Sequence, residues 1–91
     1  MTFKFIHCSD LHIDSPFKGF SFVENSLVET LRKSTYQAFQ NIVELALKEK
    51  VEAVLIAGDI YDGAEKSLEA QLKFRHGLQK LSDKGIDTFI V

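Results

Sequence analysis

Two short clusters in this chain hold residue types that could do metal chemistry. Asp10 and His12 stand two apart in Ser9-Asp10-Leu11-His12, directly after the run Phe3-Lys4-Phe5-Ile6-His7-Cys8. Asp59 stands in Gly58-Asp59-Ile60-Tyr61-Asp62, directly after Val54-Leu55-Ile56-Ala57. A carboxylate oxygen and an imidazole nitrogen brought to one place make a ligand pair for a divalent ion, and a further carboxylate can bridge that ion to a second. Two ions roughly 3.5–4 Å apart can clamp a phosphodiester, activate water near neutral pH and stabilise the leaving oxygen. Mixed oxygen and imidazole donors suit Mn²⁺, Fe or Zn²⁺ better than a thiolate-seeking ion. In extended backbone, residues two apart project to the same side, so Asp10 and His12 are expected to share one direction. Gly58 supplies a tight turn with no side chain to obstruct the site. Asp-x-His alone is a common triplet, and an Asp at a strand's end often only caps a turn. The two clusters together, each placed after an apolar run, are far more specific and point to a metal-dependent hydrolase.

Positioning these groups requires strands that end side by side. Phe3 to Cys8 reads as a first strand, rich in aromatic and β-branched residues. Residues 13–25, with Pro16 and Gly19, read as a long loop. Ser26-Leu27-Val28-Glu29 fits a capping box, with Ser26 at the N-cap. The helix that follows carries Val28, Leu31, Thr35, Ala38, Phe39, Ile42, Leu45 and Ala46 at three-to-four spacing and is expected to run to about Lys50. Lys48 and Lys50 suit the negative end of its dipole. Val51 to Ala57 is a nearly continuous apolar run after Glu52, as in a central parallel strand buried on both faces. Gly58 to Ser67 reads as a polar turn. A second helix is expected from near Leu68, with Leu72, Leu78 and Leu81 on its apolar side and Gly85 as its C-cap, followed by a third strand from Thr88 to Val91. The order β-α-β-α-β predicts a parallel sheet with right-handed crossovers. In such sheets ligands sit at the carboxyl ends of the strands, which is where both clusters fall.

Composition narrows the alternatives. The 91 residues amount to one domain or part of one. With 45% apolar and 26% charged residues, the chain has the make-up of a globular protein rather than a disordered one. A net charge of −2 gives no global attraction to nucleic acid, so binding to phosphates would need a local patch or metal ions. The single cysteine, Cys8, allows no internal disulfide, which suits a reducing cytoplasm. No apolar run approaches the ~18–20 residues of a membrane span, and the N-terminus lacks the pattern of a secretory signal. Neither a Gly-x-Gly-x-x-Gly nor a Walker loop is present, so no nucleotide cofactor is indicated.

Other residues have plainer readings. His7 lies within the first strand and reads as a structural histidine, His76 as a surface or packing residue of the second helix, and Cys8 as a buried structural thiol. Asp14 and Asp62 could orient metal ligands or simply form turns. Phe17, Phe20 and Phe22 with Lys18 could make a lip that stacks on a nucleic-acid end, or a loop folded onto the sheet by its aromatics.

Taken as motifs, Ile6-His7-Cys8-Ser9-Asp10-Leu11-His12 and Ala57-Gly58-Asp59-Ile60-Tyr61-Asp62 resemble the first two blocks of the calcineurin-like metallophosphoesterase superfamily. The stretch through Asp14-Ser15-Pro16-Phe17 resembles its SbcD and Mre11 group of DNA-repair nucleases. The resemblance implies an α/β fold, with residues 1–91 as the N-terminal βαβαβ portion of a four-layer sandwich. It implies two divalent ions, Mn²⁺ favoured, with Asp10 and His12 on one and Asp59 bridging both. It implies DNA as substrate and an ATPase of the SbcC and Rad50 kind as partner. Catalytic residues and further ligands are expected beyond Val91, in a third block, so the 91 residues alone are expected to be inactive and prone to self-association. Rival readings are a phosphomonoesterase or cyclic-nucleotide phosphodiesterase of the same superfamily, and a non-catalytic, truncated interaction module.

Overall fold

A computed structural model describes residues 2–13, 25–61 and 68–91. The expectations for Asp14, Pro16, Phe17, Lys18, Phe20, Phe22 and Asp62 lie outside the described residues. The elements follow the order β1 (Phe5–Ser9), α1 (Asn25–Glu49), β2 (Ala53–Ala57), α2 (Leu68–Asp83) and β3 (Asp87–Ile90). The strands form one parallel sheet in the order β1-β2-β3. The fold is therefore the α/β arrangement expected from the pattern, with a three-stranded parallel sheet and two crossover helices.

Register follows the apolar alternation. β1 pairs with β2 from Phe5↔Ala53 to Ser9↔Ala57, and β2 with β3 from Ala53↔Asp87 to Ile56↔Ile90. Ile6, Cys8, Val54 and Ile56 fall on one face and join a single core with Phe39, Val43 and Ala46 of α1 and Ala70, Phe74 and Leu81 of α2. Both helices thus cover the same face, as expected when two crossovers of one hand link three neighbouring strands. On the other face Phe5, His7 and Phe89 are exposed or only half-buried, as is Leu55. β2 is central, as its apolar run indicates: Val54 and Ile56 are fully buried on the helix side, while on the other face Ala53 is buried and Leu55 and Ala57 are only half-buried.

Within the helices, the buried stripe differs slightly from the expected one. Leu45 and Leu72 are exposed, whereas Val43 and Ala46 on α1 and Ala70, Phe74 and Gly77 on α2 are buried. Three-to-four spacing admits two adjacent stripes, and contact between the helices selects one of them. α1 begins at Asn25, so Ser26 lies inside the helix rather than at its N-cap. β1 and β3 begin at Phe5 and Asp87, each shifted from the expected limits.

Both helices end in the same left-handed wrap. After α2, Gly85 has φ +73°, its N–H donates to the Ser82 carbonyl at 2.9 Å, and the Ile86 N–H donates to the Leu81 carbonyl at 3.0 Å. This is a Schellman cap, with Leu81 and Ile86 both buried as its apolar pair. After α1 the Val51 N–H reaches the Ala46 carbonyl at 3.3 Å, and Lys50 occupies the left-handed position with φ 53°.

The helices meet at Gly77. A Cβ there would collide with the Phe39 ring, lying 2.7 Å from Cζ, and would stand 3.3 Å from Val43 Cγ2. Phe39 in turn packs on Phe74 with ring centroids 5.3 Å apart. Alanine would gain about 1 kcal/mol in helix propensity. Overpacking costs roughly 1–3 kcal/mol and acts on a fully buried ring. Packing is expected to win: Gly77→Ala should lower stability by about 1 kcal/mol, seen as a lower urea midpoint with unchanged slope. A raised midpoint would show that α1 and α2 can separate at no cost.

Candidate metal centre

Beyond the sheet, the β1–β2 pairing continues through the loops that leave it. The Asp10 N–H donates to the Ala57 carbonyl at 2.9 Å, the His12 N–H to the Asp59 carbonyl at 3.3 Å, and the Ile13 N–H to the Ile60 carbonyl at 2.8 Å. Ile13 and Tyr61 form a parallel bridge, so the two loops run together for four residues past the strands, Asp10 to Ile13. Ile13 is buried at 2% exposure and pins one loop to the core. Tyr61 pins the other, its ring edge-on to Phe74 with centroids 5.9 Å apart.

Along this ladder Asp10, His12 and Asp59 come together, with ligand-type atoms all within 4.8 Å of one another. The route differs from the expected one. β1 ends at Ser9, and Asp10 and His12 adopt left-handed backbone with φ 53° and 45°. Their shared direction comes from two left-handed turns flanking Leu11, which packs against the core, and not from the alternation of an extended strand. One further bond ties the clusters directly: the Asp59 N–H donates to Asp10 Oδ1 at 3.1 Å. Gly58, at φ +78°, makes the turn between β2 and Asp59.

The donor set fits a divalent cation. Two carboxylates supply charge and hard oxygen donors, and one imidazole supplies nitrogen, a mixture suited to Mn²⁺, Fe or Zn²⁺. Asp10 and Asp59 are exposed and His12 is half-buried, so the cluster opens to solvent where further ligands or a substrate can enter.

The remaining sequence candidates stand elsewhere. His7 lies mid-strand and exposed, on the face away from the helices, and His76 is exposed on α2. Cys8 is half-buried against the core, and burial pushes its thiol pKa up, which disfavours the thiolate that a ligand or nucleophile would need. Burial likewise raises the Tyr61 phenol, keeping it neutral beside Phe74. Ile13 and Tyr61, which anchor the two loops, were not expected in that role from sequence. The available signal was an apolar residue shortly beyond each cluster, three past Asp10 and two past Asp59.

An open parallel sheet that delivers two carboxylates and an imidazole to the carboxyl ends of adjacent strands is an arrangement suited to metal-assisted hydrolysis. Residues 3–91 match the calcineurin-like phosphoesterase family, and the chain belongs to it. It is 36% identical over 87 residues to the Bacillus subtilis protein called "Uncharacterized metallophosphoesterase YhaO", covering 96% of this chain and 21% of that one. It is 31% identical over 83 residues to the DNA double-strand break repair protein Mre11 of Aeropyrum pernix, covering 91% of this chain and 18% of the relative. It is 35% identical over 69 residues to the SbcD component of the SbcCD nuclease of Rhodobacter capsulatus, covering 75% of this chain and 15% of the relative. The chain thus spans about a fifth of the length of the relatives it matches. Among the described residues, no helix is long and apolar enough to cross a membrane.

The raised Cys8 pKa has a measurable consequence. Less thiolate is present at pH 8 than in a free thiol, so iodoacetamide should alkylate the native chain several-fold more slowly than the urea-unfolded chain. Equal rates would show that the β1 thiol is neither shielded nor held protonated.

Proposed function

We propose that these residues are the N-terminal part of the phosphoesterase domain of a longer hydrolase that cleaves phosphodiester bonds in DNA. In this reading Asp10, His12 and Asp59 hold divalent cations, Mn²⁺ favoured, with Asp59 as the bridging carboxylate. The observation that carries it is the meeting of these three side chains within 4.8 Å at the ends of β1 and β2. The nuclease assignment draws on relatives named Mre11 and SbcD. By the same likeness, we infer an ATPase of the SbcC and Rad50 kind as partner. Cytoplasmic placement is part of the proposal and is supported by the lone free thiol of Cys8.

The cations would supply positive charge against the phosphoryl oxygens and lower the pKa of an attacking water. The chain's own contribution is to hold the ligands. The loop ladder fixes the Asp10 and His12 backbones against Ala57 and Asp59, and the carboxylates of Asp10 and Asp59 are exposed to solvent. With a net charge of −2, attraction to DNA would come from the bound cations rather than from the protein surface.

In a full-length protein carrying these residues, Asp59→Asn should lower Mn²⁺-dependent cleavage of linear DNA by at least about 100-fold, since an amide cannot offset the charge of two cations. The exposed side chain contributes little to packing, so the melting temperature should stay within a few degrees. Cleavage near wild type would reject the bridging role. Activity on a phosphomonoester or a cyclic nucleotide but not on DNA would move the assignment to another branch of the family.

The 91-residue chain by itself should show no appreciable Mn²⁺-dependent activity on linear DNA or on a chromogenic phosphodiester. It offers three side-chain ligands among the described residues, too few for a two-cation clamp. Phe3, Phe5, Phe89 and Val91 leave apolar surface exposed, and light scattering should report self-association. Robust turnover by a monomer would show the site to be complete within these residues and would reject the reading of an incomplete domain.

A further inference from the structure

We propose that Gly58 is a positioning residue for Asp10: the missing side chain at Gly58 creates the space that the Asp10 carboxylate occupies, and this fixes Asp10 as a one-oxygen ligand. A Cβ on Gly58 would fall on Asp10 Oδ1, and would lie 2.9 Å from its Cγ and 3.4 Å from its backbone nitrogen. The same Oδ1 accepts the Asp59 N–H at 3.1 Å. The carboxylate therefore lies over the Gly58 turn with one oxygen committed to Asp59, leaving Oδ2 for a cation. Two candidate ligands, Asp10 and Asp59, are locked to each other through a hydrogen bond that exists only because residue 58 has no side chain. The inference rests on the cation-site reading above.

The geometry also says how a substitution would be relieved. Around Gly58 the collision is with the movable end of a side chain, while the Asp10 backbone nitrogen stands at ordinary contact distance and stays bonded to Ala57. A methyl at 58 should rotate the carboxylate away rather than break the ladder, so the fold survives and the ligand moves. Gly85 provides the matched control. It too has a positive φ, +73° against +78°, but a Cβ there meets nothing within 4 Å. Gly58→Ala and Gly85→Ala therefore both carry the strain of a positive φ, and only the first displaces Asp10.

Two readouts test this on the 91-residue chain. Mn²⁺ affinity is measured by titration with water-proton relaxation. The Asp10–Asp59 bond is followed, without metal, by the exchange rate and downfield shift of the Asp59 amide in NMR. Both alanine variants should lose melting temperature, Gly85→Ala on the order of 5 °C from backbone strain and Gly58→Ala by more. Gly58→Ala alone should weaken Mn²⁺ binding on the order of 10–100-fold, the usual cost of losing a group that orients a ligand, and should speed Asp59 amide exchange. Gly58→Asn, which tolerates positive φ better but retains a Cβ, should reproduce the metal defect with a smaller thermal loss. Mn²⁺ affinity within about threefold of wild type in Gly58→Ala or Gly58→Asn, or an unchanged Asp59 amide, would overturn the proposal. If the wild-type chain binds no Mn²⁺, the three side chains do not hold the cation by themselves, and the amide comparison decides whether Gly58 holds Asp10 in place.

Discussion

The position of every group in the cluster depends on the parallel pairing of β1 with β2 in one register. Asp10 and Asp59 are 49 residues apart in sequence, and their side chains meet because Ser9 lies beside Ala57. A slip of one residue would move one loop by about 3.3 Å and exchange the inward and outward faces of the strand. With ligand atoms spread over no more than 4.8 Å, such a slip would dissolve the cluster. The register is fixed by chemistry remote from the site. Ile6 and Cys8 must lie beside Val54 and Ile56 for all four to face Phe39, Val43 and Phe74.

Carrying that register past the sheet needs backbone that a strand does not supply. Asp10, His12 and Gly58 all take left-handed conformations, and for Asp10 and His12 this costs roughly 1–2 kcal/mol each. Aspartate bears it better than most residues, having a short polar side chain that bonds locally, and here it bonds the Asp59 amide. Burial of Ile13 contributes about 1.5–3 kcal/mol, and the Tyr61–Phe74 contact about 0.5–1.5 kcal/mol more. These gains are of the same size as the strain. The loops are therefore held in a high-energy local shape by anchors immediately beyond it, where the strain would otherwise unwind.

How far the sequence was readable follows from which forces are local. Strand order, helix order and the identity of the three clustered residues were legible, because apolar runs and acidic clusters alternate along the chain without ambiguity. The α2 cap at Gly85 was legible for the same reason, since left-handed geometry favours glycine. Lys50, which occupies the same position after α1, carries no such mark. The buried stripe of each helix was half legible: Phe39, Ala46 and Leu81 lie where the spacing puts them, Leu45 and Leu72 do not. That choice is made by the fit of Gly77 against Phe39, a contact between residues 38 apart. The left-handed turns at Asp10 and His12 were not legible, because an Asp-x-His triplet reads as extended until the partner loop is known.

The sheet's two faces divide the work unequally. Its helix-covered face sets the register, the register sets the loops, and the loops set the ligands. The opposite face, with Phe5, His7, Leu55 and Phe89, adds no contact to that chain of dependence among the described residues. The Asp10, His12 and Asp59 arrangement can accordingly form from β1, β2 and the two helices, without help from the exposed face. Geometry of the ligands and completeness of the site are thus separate properties. The first is written into one ladder and one side of the core, and the exposed carboxylates of Asp10 and Asp59 leave the cluster facing solvent. That separation is how a chain spanning about a fifth of the relatives it matches brings three ligand-type side chains together among its described residues.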